Sequence, residues 1–454
     1  MTRRLVVTAS ARAKTGASAN APAEAENARR VEGLPMLTPV FSTTAPIPAP
    51  GTIAVDFEER VDFDRLRKYR LGRTRAALNA SDLGALLLFD LNNIRYVTGT
   101  AIGEWTRDKM TRYALLTRVG EPMVWDFGSA AKHHRLYCNW LEDKNIRAGL
   151  NGLRGAIQPE AGLFERCARE IASLLKEEGV AGMPLGIDII EPPLWFELEK
   201  AKIAIRDGQQ VMHDAREIKS HDEILLLSTS AALVDAAYQE IAEALKPGIK
   251  ENQIVALATK KLYDLGSDDV ESINAVSGER CNPHPHNFTD RLIRPGDQAF
   301  FDIMSAFNGY RTCYYRTFNV GSATESQRDA YKQAREWIDA SIEMIRPGVT
   351  TDQIARVWPK AEEFGFPSEM EAFGLQFGHG VGLALHERPV ISRLNSLDHP
   401  MEIKEGMVFA LETYCPASDG YSAARIEEEV VVTPNGRSVI TRFPAQELFI
   451  ANAY

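Results

Sequence analysis

The 454-residue chain is poor in cysteine chemistry. Its five cysteines, Cys138, Cys167, Cys281, Cys313 and Cys415, are scattered and odd in number, with no CxxC pair. That excludes a secreted disulfide framework and makes a reducing cytoplasm the expected compartment. No run of 18 uninterrupted apolar residues occurs, so no membrane-spanning helix is expected. Basic residues are in deficit, 52 against 62 acidic, for a net charge of −10. A nucleic-acid backbone or an anionic lipid surface is therefore not the expected partner. Neither the Walker nor the Rossmann glycine spacing is present. What remains is an ordinary globular composition, 44% hydrophobic and 25% charged. At ~150 residues per domain the length predicts two to three domains.

Residues 1–55 read as a flexible tail or arm. The first twenty carry Arg3, Arg4, Arg12 and Lys14 among Ala, Ser and Thr, a composition shared by transit peptides and plain tails. Thr38 to Gly51 is rich in Pro and Thr, as in an extended linker. Residues 56–212 alternate helical and strand patterns and predict an α/β domain. A helix is expected over Arg65–Ala80, and strands at Gly84–Phe89, Tyr113–Thr117, Pro122–Asp126 and Leu185–Ile190. His133-His134 reads as solvated. Residues 213–454 predict an α+β domain. Helices are expected over Asp222–Leu245, Glu251–Gly266, Glu325–Ile345 and Thr351–Phe364. The first and third end on Lys246-Pro-Gly and Arg346-Pro-Gly, an echo suggesting pseudo-symmetry.

Four segments of this second domain set a ligand-type residue in an apolar run: Asp302, His379, Glu412 and Glu427. Burying one carboxylate costs several kcal/mol unless a cation or good donors compensate. Four such residues, offering hard oxygen and imidazole donors, read as a metal cage.

These residues, with the contexts HGVG, His386-Glu and Arg425-Ile-Glu-Glu, resemble the pita-bread family. That family includes aminopeptidase P, prolidase, creatinase, ectoine hydrolase and a dimethylsulfoniopropionate lyase of the same fold. The resemblance runs from about Val61 to the C-terminus. Within it, Asn93-Ile-Arg-Tyr-Val-Thr-Gly99 is similar to a strand signature of the creatinase and prolidase branch. It implies a C-terminal pita-bread domain behind a smaller creatinase-like α/β domain. Family dimetal enzymes use two Asp, one His and two Glu, and here four positions match. At the fifth, eleven residues after Asp302, stands Cys313. Three converging carboxylates without a cation would repel and take up protons. Either Arg316 or Arg425 compensates them, or one metal stays, with Cys313 as a thiolate ligand. The expected cofactor is one divalent transition metal per chain, Fe, Zn or Mn, with a metal-free site as the other outcome.

The resemblance also places a substrate-binding or proton-shuttling histidine in the loop before Asp302, where His284 and His286 both stand. His386, seven residues after His379, matches the second histidine of the prolidase branch. Trp105 and Arg107 follow the Asn-Ile-Arg-Tyr segment, where creatinase-type enzymes reach into a neighbouring subunit's site. Expected catalytic residues are thus His284, His286, His386, Glu412 and Glu427. Expected substrate-binding residues are Trp105, Arg107, Arg316 and Arg425, and expected metal ligands are Asp302, Cys313, His379, Glu412 and Glu427. The function expected is a small-molecule hydrolase or lyase cleaving a C–N or C–S bond in a compact zwitterion, in a homodimer. An Xaa-Pro dipeptidase and a non-catalytic binding module are the alternatives.

Overall fold

Leucine-rich runs without polar interruption become the interior strands of a mixed sheet. In a computed structural model of the chain, the described residues are 61–103, 110–149 and 152–454. All lie within one compact unit, Ala54–Tyr454. The tail over residues 1–55, and Trp105 and Arg107, fall outside the described residues. The first sheet contains β1 (Ala85–Leu88), β2 (Tyr113–Thr117), β3 (Met123–Asp126), β4 (Ile146–Ala148), β5 (Leu185–Ile187) and β6 (Ile205–Asp207), ordered β4-β3-β2-β1-β5-β6. The period-2 alternation of β1 divides its side chains between two cores. Leu86 and Leu88 pack with Leu66 and Leu78 of the helix Phe63–Ala80, whereas Ala85 and Leu87 join Phe164 and Ile171 on the opposite face.

Two expectations for this region are corrected. Asn93-Ile-Arg-Tyr96 is helical, within Leu91–Thr98. Asp90 caps it by accepting from the amides of Asn92 and Asn93 at 3.0 Å, and Gly99 ends it at φ +68°. His134 is buried rather than solvated: its Nε2 lies 3.0 Å from Asp126 Oδ2, and Arg112 approaches the same carboxylate at 3.5 Å.

The C-terminal region is built twice. The helices His221–Ala244 and Glu325–Met344 each start with a capping box, Ser220 with Glu223 and Thr324 with Gln327. Leu245 and Ile345 end them with identical backbone angles, φ −70° and ψ 115°. Gly248 and Gly348 then take φ +90° and +89°, which a side chain would strain. Lys250 and Thr350 next form matching bridges to Leu292 and Glu402. The second copy is shorter. The helix expected to reach Phe364 stops at Ala355, and a 3₁₀ turn Ala361–Phe364 follows Pro359.

Each copy feeds a sheet. One holds β7 (Asp269–Ser277), β8 (Gln298–Phe307), β9 (Tyr310–Val320) and β15 (Phe449–Ala451), ordered β15-β9-β8-β7. The other holds β10 (Phe377–Gly380), β11 (Glu387–Ile391), β12 (Val408–Pro416), β13 (Ala423–Thr433) and β14 (Gly436–Val439), ordered β11-β10-β12-β13-β14. They meet at β9 and β13, where Thr317 Oγ1 donates to Arg425 O at 2.6 Å and Glu429 accepts the Cys313 amide at 2.8 Å. Among the described residues no helix is long and apolar enough to cross a membrane.

Candidate metal and acid–base site

The site lies between these sheets, and strand alternation determines which residues enter it. On β13, Arg425, Glu427 and Glu429 share one face and Glu428 points the other way. On β9, Cys313 and Tyr315 face inward. Register sets Asp302 beside Tyr315 and between β9 and Asn274 of β7. It also sets Glu412 directly opposite Glu427, and His379 opposite Ala410. Directly opposed carboxylates repel, and the chain meets this with the diagonal Arg425, which is ion-paired to Glu412.

Asp302, Cys313, His379, Glu412, Glu427 and Arg425 are thereby brought together, all buried. Asp302 Oδ2 accepts from Asn274 at 3.0 Å, and Oδ1 lies 3.5 Å from Cys313 Sγ. Burial and the charge of Glu412 push the Asp302 carboxyl up to about 6. Burial and neighbouring carboxylates raise the Cys313 thiol, and in the same way hold Glu427 far above the usual carboxylate range. His379 is held neutral, its pKa lowered to about 4 by burial. Its Nδ1 lies 3.1 Å from Gly380 O, so Nδ1 carries the proton and Nε2 turns a lone pair toward Glu427, 3.9 Å away.

The histidines form a second tier. His284 Nδ1 accepts the backbone N–H of His286 at 3.3 Å, so Nε2 carries the proton and donates to the Tyr315 hydroxyl at 3.0 Å. Tyr315 in turn hydrogen-bonds Asp302. Burial, with the nearby Arg425 charge, lowers the pKa of both His284 and His286, whose rings lie 3.9 Å apart. The loop carrying them is pinned by the buried Glu251, which accepts from Ser277 Oγ at 2.7 Å and from Thr289 N and Oγ1 at 2.9 and 2.8 Å. His386 faces solvent with its ring 4.5 Å from that of His379.

Arg316 is not where the sequence suggested. Its place on β9 points it away from Cys313, and its guanidinium is fully engaged by Glu428 at 2.9 Å and by the carbonyls of Tyr315, Phe443 and Glu427. Sequence reasoning missed Glu429, Asn274 and Tyr315. The signal for Glu429 was present, because residues 425, 427 and 429 alternate onto one face of a strand.

Does the cluster suit a metal? Both carboxylate oxygens of Glu427 are buried with no hydrogen-bond partner. One ligand atom each from Cys313, His379 and Glu427 lies within 4.8 Å of the others. An unsatisfied buried carboxylate beside a lone-pair imidazole and a thiol is a donor set that fits one divalent ion. Residues 226–434 match metallopeptidase family M24. That stretch lies in the pita-bread half of the chain, which is thus similar to that family.

Relatives of the chain are enzymes. Dimethylsulfoniopropionate lyase DddP of Roseovarius nubinhibens is 27% identical over 400 residues, covering 84% of this chain and 87% of the relative. The Xaa-Pro dipeptidase of Pyrococcus furiosus is 31% identical over 238 residues, covering 51% of this chain and 65% of the relative. Among solved structures, the prolidase from Thermococcus sibiricus superposes with a TM-score of 0.68 at 24% identity, over 85% of this chain and 99% of that one. PepE of Mycobacterium ulcerans gives 0.67 at 22% identity, over 87% and 100%. These likenesses establish a two-part fold, with an N-terminal domain preceding the M24 domain.

Proposed function

We propose that the protein is a small-molecule hydrolase or lyase that cleaves a C–N or C–S bond in a compact zwitterionic substrate. The observation that carries this reading is the Arg425–Glu412 pair beside Cys313. A thiol stands where the resemblance implies the fifth metal-binding carboxylate, and a fixed cation sits beside one of the four matching ligands. Arg425 Nε and Nη1 are buried without hydrogen-bond partners, so they offer N–H groups to an anionic substrate group. Glu412, steadied by Nη2 of the same guanidinium, is the base that takes a proton from substrate or water. His386, neutral and open to solvent, returns a proton to the leaving atom. His284 and Tyr315 pass proton demand to Asp302, with His286 fixing the tautomer of His284. Glu427 and His379, with Asp302 and Cys313, would hold one divalent transition metal ion. Such an ion supplies Lewis-acid polarisation of the substrate.

The test is a turnover panel of compact sulfonium, quaternary ammonium and amidine or amide zwitterions alongside Xaa-Pro dipeptides. Turnover on a zwitterion, abolished in Glu412→Gln, is the expected result. Turnover confined to Xaa-Pro dipeptides would replace this reading with the dipeptidase one. No turnover on either class would leave the binding module. We also expect a homodimer, with Trp105 and Arg107 meeting the partner's site. A monomeric mass by light scattering at micromolar concentration would refute that part.

A further inference from the structure

We infer that Asn92 and Asn93 are positioning residues for His386. Acting through Arg311 and Arg216, they hold the loop that presents this histidine to the site. That His386 returns the proton is the reading given above. Where its ring stands can be measured whether or not that reading survives.

The segment Asn92-Asn-Ile-Arg-Tyr96 lies in the N-terminal domain, yet each of its polar side chains reaches into residues 213–454. Asn92 Oδ1 accepts from Arg311 Nη1 at 2.9 Å, and Asn93 Oδ1 accepts from Arg216 Nη1 at 2.8 Å. Arg95 Nη1 lies 3.5 Å from Asp268 Oδ2, and the Tyr96 hydroxyl donates to Ala215 O at 3.0 Å. Neighbours on a helix point about 100° apart, so the two asparagines meet two different arginines. Both arginines grip the same loop.

That loop, Val381 to His386, joins β10 to β11. Arg311 takes it from one side: its backbone N–H donates to Gly382 O at 2.8 Å, and its Nη1 donates to Leu383 O. Glu387 takes it from beneath. Its Oε1 accepts from Ala384 N at 3.0 Å and lies 3.4 Å from Arg216 Nε, and its Oε2 accepts from Lys219 Nζ at 2.9 Å. The carboxylate is so close under the loop that a Cβ on Gly382 would fall 2.6–2.8 Å from its atoms. His386 is exposed and Glu387, the next residue, is buried. Fixing the second therefore aims the first.

Glu387, Lys219 and Arg216 are all buried. Desolvation offsets much of the attraction in such a group, but its geometry is restricted to one arrangement. Asn93 gives Arg216 its direction. The amide is itself oriented by Asp188, which accepts from Nδ2 at 3.0 Å and leaves Oδ1 for the guanidinium. A polar chain Asp188–Asn93–Arg216–Glu387 thus runs from the N-terminal domain to the residue beside His386. Arg311 is steadied in the same way, since its Nε donates to Glu271 at 2.6 Å.

The experiment records the ring resonances of isotope-labelled histidine in the full-length protein, with His386 assigned from His386→Gln. Asn93→Leu and Asn92→Ala should each move or split the His386 resonance and leave those of His284 and His286 in place. Arg216→Lys should act like Asn93→Leu, because a lysine answers the Glu387 charge but cannot also bridge to Asn93. Tyr96→Phe removes a hydrogen bond between the same two regions without touching either arginine, and should leave His386 unmoved. On any substrate that wild type turns over, Asn93→Leu should lower kcat about tenfold with KM within about threefold. An unmoved His386 resonance in either asparagine variant would overturn the proposal. So would an Arg216→Lys protein that matches wild type, or a Tyr96→Phe shift as large as that of Asn93→Leu. An unchanged kcat in a variant whose resonance has moved would overturn it too. If Asn93→Leu fails to fold, Asn92→Ala and Arg216→Lys decide. Absence of turnover on every substrate would end the reading of His386 as proton donor, and the resonances would still decide what positions it.

Discussion

Glu427 and Glu428 are consecutive in the chain and both inside the molecule, yet their surroundings are opposite. Glu428 meets Arg316 at 2.9 Å, Arg335 at 3.0 Å and the Thr441 hydroxyl. Glu427, one residue earlier and on the other face of β13, has no hydrogen-bond partner at either oxygen. A buried charge that is fully paired helps hold one packing arrangement together, whereas one left unpaired is a cost the fold accepts for another purpose. The two faces of one strand thus separate structure from chemistry.

The largest effect expected from breaking this contrast lies on the chemical face. Glu412→Gln should lower turnover by about a hundredfold or more, the usual worth of a positioned base, in a protein that still folds but melts lower because the buried Arg425 loses its carboxylate partner. Activity within a factor of ten of wild type would remove Glu412 from the mechanism. On the paired face, Glu428→Gln strands two guanidiniums. It should cost about 3–5 kcal/mol of stability, read by denaturant melts, with bound metal unchanged. Loss of metal in that variant would show that the faces are not independent.

Asp188, in the N-terminal domain, offers a third case. It is buried yet accepts from Phe89 N at 2.8 Å, Asp90 N at 3.1 Å, Asn93 Nδ2 at 3.0 Å and Ile189 N at 2.6 Å. Burial nonetheless raises its carboxyl from 3.8 to about 6. A raised folded-state pKa adds stability that is complete below the unfolded value near 4 and is lost as pH climbs through about 6. Two pH units correspond to about 3 kcal/mol. The stability of wild type relative to Asp188→Asn should therefore fall by about that amount between pH 4 and pH 7, measured by chemical denaturation. A difference that is flat with pH would mean that the four donors keep Asp188 ionised throughout. The smallest effect should come from Glu427→Gln. Without metal it should shift stability by under ~1 kcal/mol, since no partner is lost, while the stabilisation that added metal confers on wild type disappears. A melting temperature that still rises with metal would place the ion elsewhere.

Much of this organisation was legible in the residues. The strand expected at Tyr113–Thr117 is a strand, and the apolar runs around Asp302, Glu412 and Glu427 are strands too, because alternating or unbroken apolar runs leave few other options. The Pro-Gly echo after two helices turned out to be a repeated turn, since Gly248 and Gly348 share a positive φ. What escaped depended on contacts distant in sequence. The resemblance to a strand signature of the creatinase and prolidase branch implied a strand at Asn93-Ile-Arg-Tyr96, but the local cap at Asp90 makes it a helix. His133 and His134 are indistinguishable in sequence; one stacks on Tyr137 at the surface and the other binds Asp126 in the core. Arg316 and Arg425 are both buried arginines near the site, and strand parity alone directs one toward Glu428 and the other toward Glu412.

Parity has a further consequence. Slipping β13 by a single position would carry Glu428 into the site and deliver Arg425, Glu427 and Glu429 to the arginines behind it. Every charge would then stand in the wrong company, although no residue had changed. The strand is secured against this along nine consecutive pairs with β12, from Val408↔Val431 to Pro416↔Ala423. On its other edge β14 returns through a tight turn at Gly436, whose φ of +155° disfavours any residue with a side chain. A one-residue insertion in that turn, far from any ligand, would thus be an indirect way to disarm the site.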